Sequence, residues 1–204
     1  MTAARVAAWL AAGALLGCGA DARAAEHDHS AMAHDAPPAT TGALLSAADV
    51  DFLMHMIVHH QQAVELTALV PARSSRDEFR RFARYLDGAQ QGEIDQMREL
   101  LQLAAARGVP TPEAHLHGDP PMAGMLSRAQ LAAIERARGA EFERLWLEGM
   151  IVHHEAALAM ARAQQEAQFR SGHQPYGLDV LVDSMLDVQR GEVTRMRGWL
   201  SEWR

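Results

Sequence analysis

The chain has 204 residues, 49% of them hydrophobic, which allows one sizeable core and predicts a single main domain. Its formal net charge is −7 with histidine neutral, so the basic surface needed for nucleic-acid binding is missing and no nucleic-acid partner is expected. Histidine and methionine, at 11 residues each, are abundant, and a chain rich in both suits a cationic ligand better than a phosphate.

The N-terminal segment, residues 1–18, has the pattern of an export signal. Arg5 precedes an apolar run that is too short to span a bilayer. The run ends at Cys18, the only cysteine, in a context that resembles a bacterial lipoprotein signal; ordinary cleavage near residues 22–24 is the alternative. We therefore expect an exported protein, either periplasmic or held at the extracytoplasmic side of a membrane by a lipid on Cys18, without internal disulfide bonds.

Residues 19–45 offer little to bury and are predicted to be a disordered tether. A short tract within them combines histidine with methionine, which is typical of loose metal capture, and an ordinary solvated linker is the alternative. The candidate metal ligands of this tract are His27, His29, Met32 and His34.

The first helix is predicted between Ser46 and Pro71. Ser46 has the chemistry of an N-cap, Asp49 in the first turn suits the helix dipole, and Pro71 cannot continue the helix. A helical wheel centres the apolar side near Met56. The polar residues predicted on the opposite side are Gln61, Gln62 and Glu65.

A five-residue segment, Met-Ile-Val-His-His, occurs at residues 56–60 and again at 150–154. An identical second copy indicates an internal repeat. His60 falls near the centre of the apolar side of its helix and His59 at the edge. A lone inward histidine is more often a core residue than a ligand, so the metal-site interpretation depends on the repetition. For His59 and His153, ligation and hydrogen bonding behind a ligand both stay open.

The second helix is predicted to be capped by Ser74 or Ser75 and closed near Gly108. Its apolar side is interrupted by Gln90 and Glu93. A carboxylate there costs on the order of several kcal/mol unless it is paired, protonated or bound to a metal. The expected partners are the inward histidines of the facing helix.

Residues 107–126 form a long connection, of a length that is usually functional or a crossover in a compact domain. Ser127 is predicted to cap the helical stretch that follows, Gly139 to break it, and a last helix to run from about Tyr176 to Trp203. A plain loop is the alternative to a metal-binding connection. Its candidate ligands are His115, His117, Met122 and Met125.

The third and fourth long helices repeat the first and second. Glu192 lies 99 residues after Glu93, with glutamine three residues before and methionine four residues after in both copies. The duplicated unit is therefore a helical hairpin, with one copy in 46–106 and the other in 127–204. Two such hairpins joined by a crossover predict an all-α four-helix bundle over residues 46–204.

The repeated side chains favour copper. Thioether sulfur selects Cu(I), and imidazole suits copper, zinc, iron and nickel. A di-iron carboxylate site would need two Glu-x-x-His motifs, which neither glutamate provides. We expect a copper ion, as Cu(I), Cu(II) or both, with zinc and iron less favoured. The main candidate ligands are Met56, His59, His60, Glu93, Met97, Met150, His153, His154, Glu192 and Met196.

These segments resemble a bacterial family, the domain of unknown function numbered 305, whose members are ferritin-like helical bundles. The resemblance extends from the first helix to the C-terminus and is carried by residues 51–63, 122–125 and 139–154. It implies an exported copper binder whose motif residues are the two Met-x-x-His-His segments. The chain departs from the family pattern at Glu143, where aspartate is common, and at Gly149, where methionine is common and would add a soft ligand.

The function predicted from the sequence is copper binding for buffering, storage or delivery. Two alternatives stay open, namely a metal-dependent oxidoreductase at the same side chains and a structural helical module whose histidines are satisfied in the core. The expected partners are the metal ion, a membrane if Cys18 is lipidated, and a second copy of the chain or a metal-transfer protein. No catalytic residue is assigned, because nucleophile, phosphate-loop and dinucleotide motifs are missing.

Overall fold

The computed structural model describes residues 44–111 and 122–203, and these two ranges contain five α-helices and no strand. The all-α prediction is thereby confirmed. The predicted signal peptide and nearly all of the predicted tether lie outside the described residues. The helices are α1 Ala47–Leu69, α2 Asp77–Ala106, α3 Arg128–Arg136, α4 Gly139–Ser171 and α5 Leu178–Glu202. The candidate site residues outside the described ranges are Cys18, His27, His29, Met32, His34, His115 and His117.

Two helices begin where the sequence predicts, each with a capping box. Ser46 accepts the backbone N–H of Asp49, whose carboxylate accepts the N–H of Ser46 in return. Ser127 and Gln130 make the same reciprocal pair at the start of α3. Both starts follow from local sequence because the two partners lie three residues apart.

Pro71 ends α1 and creates a tertiary contact. Proline has no N–H to give to the Thr67 carbonyl, which accepts the N–H of Val70 instead in a tightened turn. The carbonyl of Leu66 is thereby released from the helix, and the indole Nε1–H of Trp146 donates to it at 2.8 Å. The end of α1 is thus joined to α4 by a buried hydrogen bond.

The predicted cap of α2 is wrong. The N-cap residue is Arg76, without a side-chain cap hydrogen bond. Ser74 Oγ donates to Oε1 of Glu143 at 2.5 Å, and Arg76 Nε donates to Oε2 of the same carboxylate at 2.8 Å. Glu143 is buried, so both of its oxygens need donors, and the serine serves that need rather than the helix end. These bonds join the start of α2 to the start of α4.

The four long helices contact one another in a ring. Helix α1 packs against α2, α2 against α5, α5 against α4 and α4 against α1, while α3 packs on α4. The α1–α2 and α4–α5 pairs are the two hairpins expected from the repeat. The ferritin-like bundle, in that detail, stays a prediction from the sequence. Within the described ranges, no helix combines the length and the apolar character that crossing a bilayer requires.

Large aromatic side chains fill one end of the core. Phe79 near the start of α2 meets Trp146 edge to face with ring centroids 4.9 Å apart, and Trp203 at 5.7 Å. Glu93 lies about four helical turns further along α2. The aromatic cluster therefore lies at the helix ends, about four turns away from Glu93.

Candidate metal centre

His59 and His153 meet where α1 contacts α4. Their ring centroids are 3.7 Å apart, and Nε2 of His153 lies 3.0 Å from the carbonyl oxygen of His59. A carbonyl oxygen can only accept, so Nε2 donates and the lone pair of the neutral His153 ring is on Nδ1. Both residues are buried although the helical wheel puts them at an edge, because that edge is the α1–α4 contact.

Each hairpin holds one buried histidine–glutamate pair. Nε2 of His60 lies 2.6 Å from Oε2 of Glu93, and Nε2 of His154 lies 3.1 Å from Oε2 of Glu192. The carboxylates thus have the histidine partners that their apolar surroundings require. When Nε2 donates to the carboxylate, the lone pair of the neutral ring is on Nδ1, which is how proteins commonly orient a metal-binding histidine.

Several polar atoms of this layer have no hydrogen-bond partner among the described residues. A buried polar atom left in this state costs about 1–3 kcal/mol, so the layer favours a bound ion or water that would supply the missing contacts. The glutamines three residues before each glutamate belong to the same set. The atoms are both ring nitrogens of His59, Nδ1 of His60, Nδ1 of His154, Oε1 of Glu192, Oε1 of Gln90, and Oε1 and Nε2 of Gln189.

Burial keeps two of the imidazoles neutral. It lowers the pKa of His59 to about 3, with help from the neighbouring His60 and His154 rings. The backbone of Ala123 raises the pKa of His59 slightly against this trend, although it does not come into hydrogen-bonding geometry with the ring. The pKa of His153 lies well below its usual range, first through burial and then through the His59 ring. Neutral imidazole is the form that binds metals, so protons do not compete at neutral pH.

The four methionines predicted as ligands are fully buried. Each lies one helical turn from the second histidine or the glutamate of its own repeat, on the same side of the helix. Thioethers in this position serve either as soft ligands or as core packing, so their ligand role stays a prediction. They are Met56, Met97, Met150 and Met196.

No group of three or more His, Cys, Asp or Glu side chains in residues 44–111 and 122–203 is gathered to hold one ion. The polar layer instead consists of the His59–His153 pair and the two histidine–glutamate pairs. A soft ion bound here would therefore need thioether ligands beside imidazole. The assignment of metal ligands in the layer stays a prediction.

Gln62 was predicted on the solvent side of α1, and this prediction is wrong. Its amide Nε2 donates to the carbonyl of Leu126 at 3.1 Å, and its Oε1 accepts the N–H of Leu126 at 2.7 Å. The end of the crossover folds back over this side of α1 and buries the glutamine. Gln62 lies about one turn from His59, so it fixes the crossover beside the buried layer.

A groove of about 640 Å³ between α2 and α5 reaches the layer and is lined in part by Glu192, Tyr85 and Arg195. Burial, Glu192 and then Glu93 raise the pKa of Tyr85, which indicates that the phenol stands near both carboxylates. Tyr85 is not among the site residues predicted from the sequence. The feature of the sequence that could have indicated Tyr85 is its position about two helical turns before Glu93.

Glycine directly precedes both glutamates, at Gly92 and Gly191. A Cβ at either position would meet no atom within 4 Å, so these residues leave the helix surface open beside the carboxylates. Gly191 also lines the α2–α5 groove. This pair is not among the residues predicted from the sequence, although the 99-residue offset that relates the glutamates also relates the glycines.

Comparison with known proteins gives one family and several solved structures. The family described as domain of unknown function (DUF305) matches residues 49–200. A DUF305 protein from Streptomyces coelicolor is 29% identical with a TM-score of 0.64, over 78% of this chain and 92% of that one. A DUF305 fragment from Deinococcus radiodurans is 28% identical with a TM-score of 0.67, over 78% and 99%.

CopM is a third similar structure. In its Cu(II)-bound form it is 26% identical to this chain with a TM-score of 0.59, over 76% of this chain and 97% of CopM. CopM structures in Cu(I)-bound, silver-bound and apo forms also match. No curated protein sequence matches the chain.

Proposed function

The chain belongs to the DUF305 family, and we propose that it is an exported protein that binds copper for buffering, storage or delivery. The observation that carries the proposal is the buried His59–His153 pair between two histidine–glutamate pairs, with imidazole nitrogens that lack partners among the described residues. CopM, which is similar in sequence and fold, is solved with Cu(I), Cu(II) and silver bound. The donor atoms of this chain and its similarity to CopM therefore both favour copper.

The donor atoms of the layer select copper over harder ions. Imidazole nitrogen binds Cu(I) and Cu(II), and the buried thioethers beside it favour Cu(I). Among the described residues, the carboxylates of the layer are those of Glu93 and Glu192, and each already has one oxygen on a histidine. Neither glutamate belongs to a Glu-x-x-His motif, which makes iron chemistry less favoured.

Each type of side chain has a distinct task in this proposal. His59 and His153, kept neutral by burial, present lone pairs without releasing a proton. Glu93 and Glu192 orient the second histidine of each motif through Nε2. Their negative charges also offset the positive charge of a buried metal ion. Copper is the cargo, and no residue is assigned a catalytic role.

Export is part of the same proposal. The Streptomyces coelicolor relative is described as a secreted protein, which agrees with the signal pattern in residues 1–18. We also propose lipid attachment at Cys18. Cell fractionation tests this attachment, because a Cys18→Ser variant is expected to leave the membrane fraction if a lipid on this residue is the anchor.

Copper binding is tested on protein purified without a histidine tag, by anaerobic competition with a coloured Cu(I) chelator. Two variants replace histidine pairs with glutamine, His59/His60→Gln and His153/His154→Gln, and circular dichroism checks their folding. His173→Gln is the control because this histidine lies outside the layer. We expect each double variant to bind Cu(I) at least about tenfold more weakly, and the control to match wild type. Unchanged affinity in both double variants would exclude the proposed centre.

A further inference from the structure

We propose that His55, Met122 and Met160 form a second site for a soft metal ion at the surface, and that this site is the entrance to the buried centre. The proposal rests on the copper function proposed above. The three residues line an open groove of about 440 Å³ where α1, α4 and the end of the crossover meet. His55 and Met160 lie outside the ligand set predicted from the sequence, whereas Met122 is one of the candidate ligands predicted in the connection 107–126.

The ring of His55 is already oriented for a ligand. Its Nδ1 lies 2.8 Å from the backbone carbonyl of Asp51 and 3.3 Å from the Asp51 carboxylate. Since both partners are acceptors, Nδ1 donates, and the lone pair of the neutral ring is on Nε2. A carbonyl or carboxylate behind one nitrogen of an imidazole is the usual support for metal binding through the other.

The chemistry of the groove suits a soft cation. Met122 and Met160 are both partly buried, so their thioethers are held by the fold without being sealed from solvent. Two thioethers and one imidazole form a ligand set that selects Cu(I) over zinc or iron. Among the described residues, no arginine or lysine lines the groove, and Asp51 adds a negative charge.

The α2–α5 groove is the less favourable entrance for a cation. Arg81 and Arg195 both line it, and the guanidinium of Arg195 stacks near the rings of Phe82 and Trp199. The carboxylates of Glu78 and Glu192 also line this groove, so the two positive charges leave it without a net negative charge. The two grooves therefore differ in charge, and the α1–α4 side attracts cations.

One residue of the α1–α4 groove also lies beside the buried pair. Ala123 lines the groove, and its backbone lies close enough to His59 to act on the charge state of that ring. His55 is one helical turn before His59 on the same side of α1. An ion released from His55 therefore has a buried imidazole one turn further along the same helix.

The second hairpin lacks the equivalent of His55, so only the first hairpin contributes a histidine to this entrance. The position 94 residues after His55 is Gly149. A Cβ at Gly149 would lie 2.8 Å from a methyl carbon of Leu126 and would also meet Ile134. The end of the crossover and α3 thus cover this position, whereas the His55 side stays open.

The test follows individual methionine methyl groups by NMR in the full chain, with ¹³C-methyl methionine and Ag(I) as a redox-inert stand-in for Cu(I). Met122→Leu and Met160→Leu assign the two groove signals, and His55→Gln removes the imidazole. Met54→Leu is the control, because Met54 is a partly buried methionine of α1 that does not line the groove. Leucine keeps the side-chain volume, so the fold is expected to persist.

We expect the Met122 and Met160 methyl signals to move with the first Ag(I) added, in wild type and also in His59/His153→Gln. His55→Gln and the Met122/Met160→Leu double variant should slow loading of the buried centre by roughly tenfold or more, while Met54→Leu loads as wild type does. Ag(I) binding that leaves both groove methyls unmoved overturns the entrance and leaves the buried centre standing. A wild-type chain that binds no Ag(I) overturns both proposals.

Discussion

The imidazole rings of His59 and His153 pack against each other at 3.7 Å, although the two residues are 94 positions apart. They are equivalent members of the two Met-Ile-Val-His-His segments. The first histidine of each segment thus meets its own copy across the α1–α4 contact, whereas the second, His60 or His154, turns to the glutamate of its own hairpin. The two adjacent histidines of each copy therefore have different partners.

The metal-free protein is predicted to lose stability as the pH falls below 6.5, the ordinary pKa of histidine. Above pH 6.5 the His59 and His153 rings are neutral both folded and unfolded. Below it the unfolded chain binds protons that the buried rings refuse, so the free energy of unfolding falls by about 1.4 kcal/mol per pH unit for each ring. The His59 ring costs about 2 kcal/mol at pH 5 and its share keeps growing towards pH 3, while the His153 ring adds a loss of the same sign.

Urea denaturation at pH 7 and pH 5 measures this loss. The comparison variant is His59/His153→Gln, which removes both titrating rings and should lose much less free energy over the same interval. Equal losses in the variant and in wild type would assign the acid sensitivity to other groups.

Glu93→Gln and Glu192→Gln are predicted to weaken copper binding more than they weaken the fold. Glutamine keeps the shape and can still accept from Nε2 of the histidine, so the free energy of unfolding should change by less than roughly 1.5 kcal/mol. The lost charge no longer supports the imidazole or offsets a buried cation, and the affinity for Cu(I) should fall about 10–100-fold. Chelator competition and urea denaturation measure the two effects separately.

The matched control is Glu148→Gln. Glu148 is exposed and pairs with Arg144 within α4, so its loss should change stability by about 0.5 kcal/mol or less and leave copper affinity unchanged. Copper affinity that stays at the wild-type level in both Glu93→Gln and Glu192→Gln would remove these carboxylates from the centre.

Features that depend on neighbouring residues or on the repeat were predictable from the sequence. Ser46 and Ser127 start helices because their capping partners lie three residues on, and Pro71 ends α1 because it has no N–H. The pairing of Glu93 with His60 was predictable for a different reason. A carboxylate on an apolar helix side needs a partner, and inward histidines were the expected ones.

Features that join distant segments were not predictable from a helical wheel. Gln62 is buried by Leu126, 64 residues away, and Ser74 bonds to Glu143, 69 residues away. The wheel describes one helix at a time and contains nothing about where a crossover will lie. His55 and Met160 line one surface groove for the same reason, since α1 and α4 must pack together to bring them there.

Glu143→Ala is predicted to destabilise the protein by about 2 kcal/mol, because Ser74 Oγ and Arg76 Nε both lose the acceptor that joins α2 to α4. The Arg76 side chain is partly exposed and regains water, which keeps the cost below that of a fully buried ion pair. Thermal unfolding measures the loss, with the exposed Glu141→Ala of the same helix turn as control. A loss no greater than that of the control would mean that this junction contributes nothing to stability.

Gly124→Ala is predicted to displace the end of the crossover from α4. Gly124 has a φ of +78°, and a Cβ there would lie 2.1 Å from Cβ of Ala156 and 3.1 Å from the Val152 carbonyl. Gly108, with a φ of +82° and open space around it, is the matched control for backbone strain. Gly108→Ala should cost about 1–2 kcal/mol, and Gly124→Ala about 1–3 kcal/mol more through the overlap. Urea denaturation of Gly124→Ala with and without Ala156→Gly isolates the contact, since the second change should recover the extra loss. Additive effects of the two substitutions would show that the crossover does not rest on Ala156.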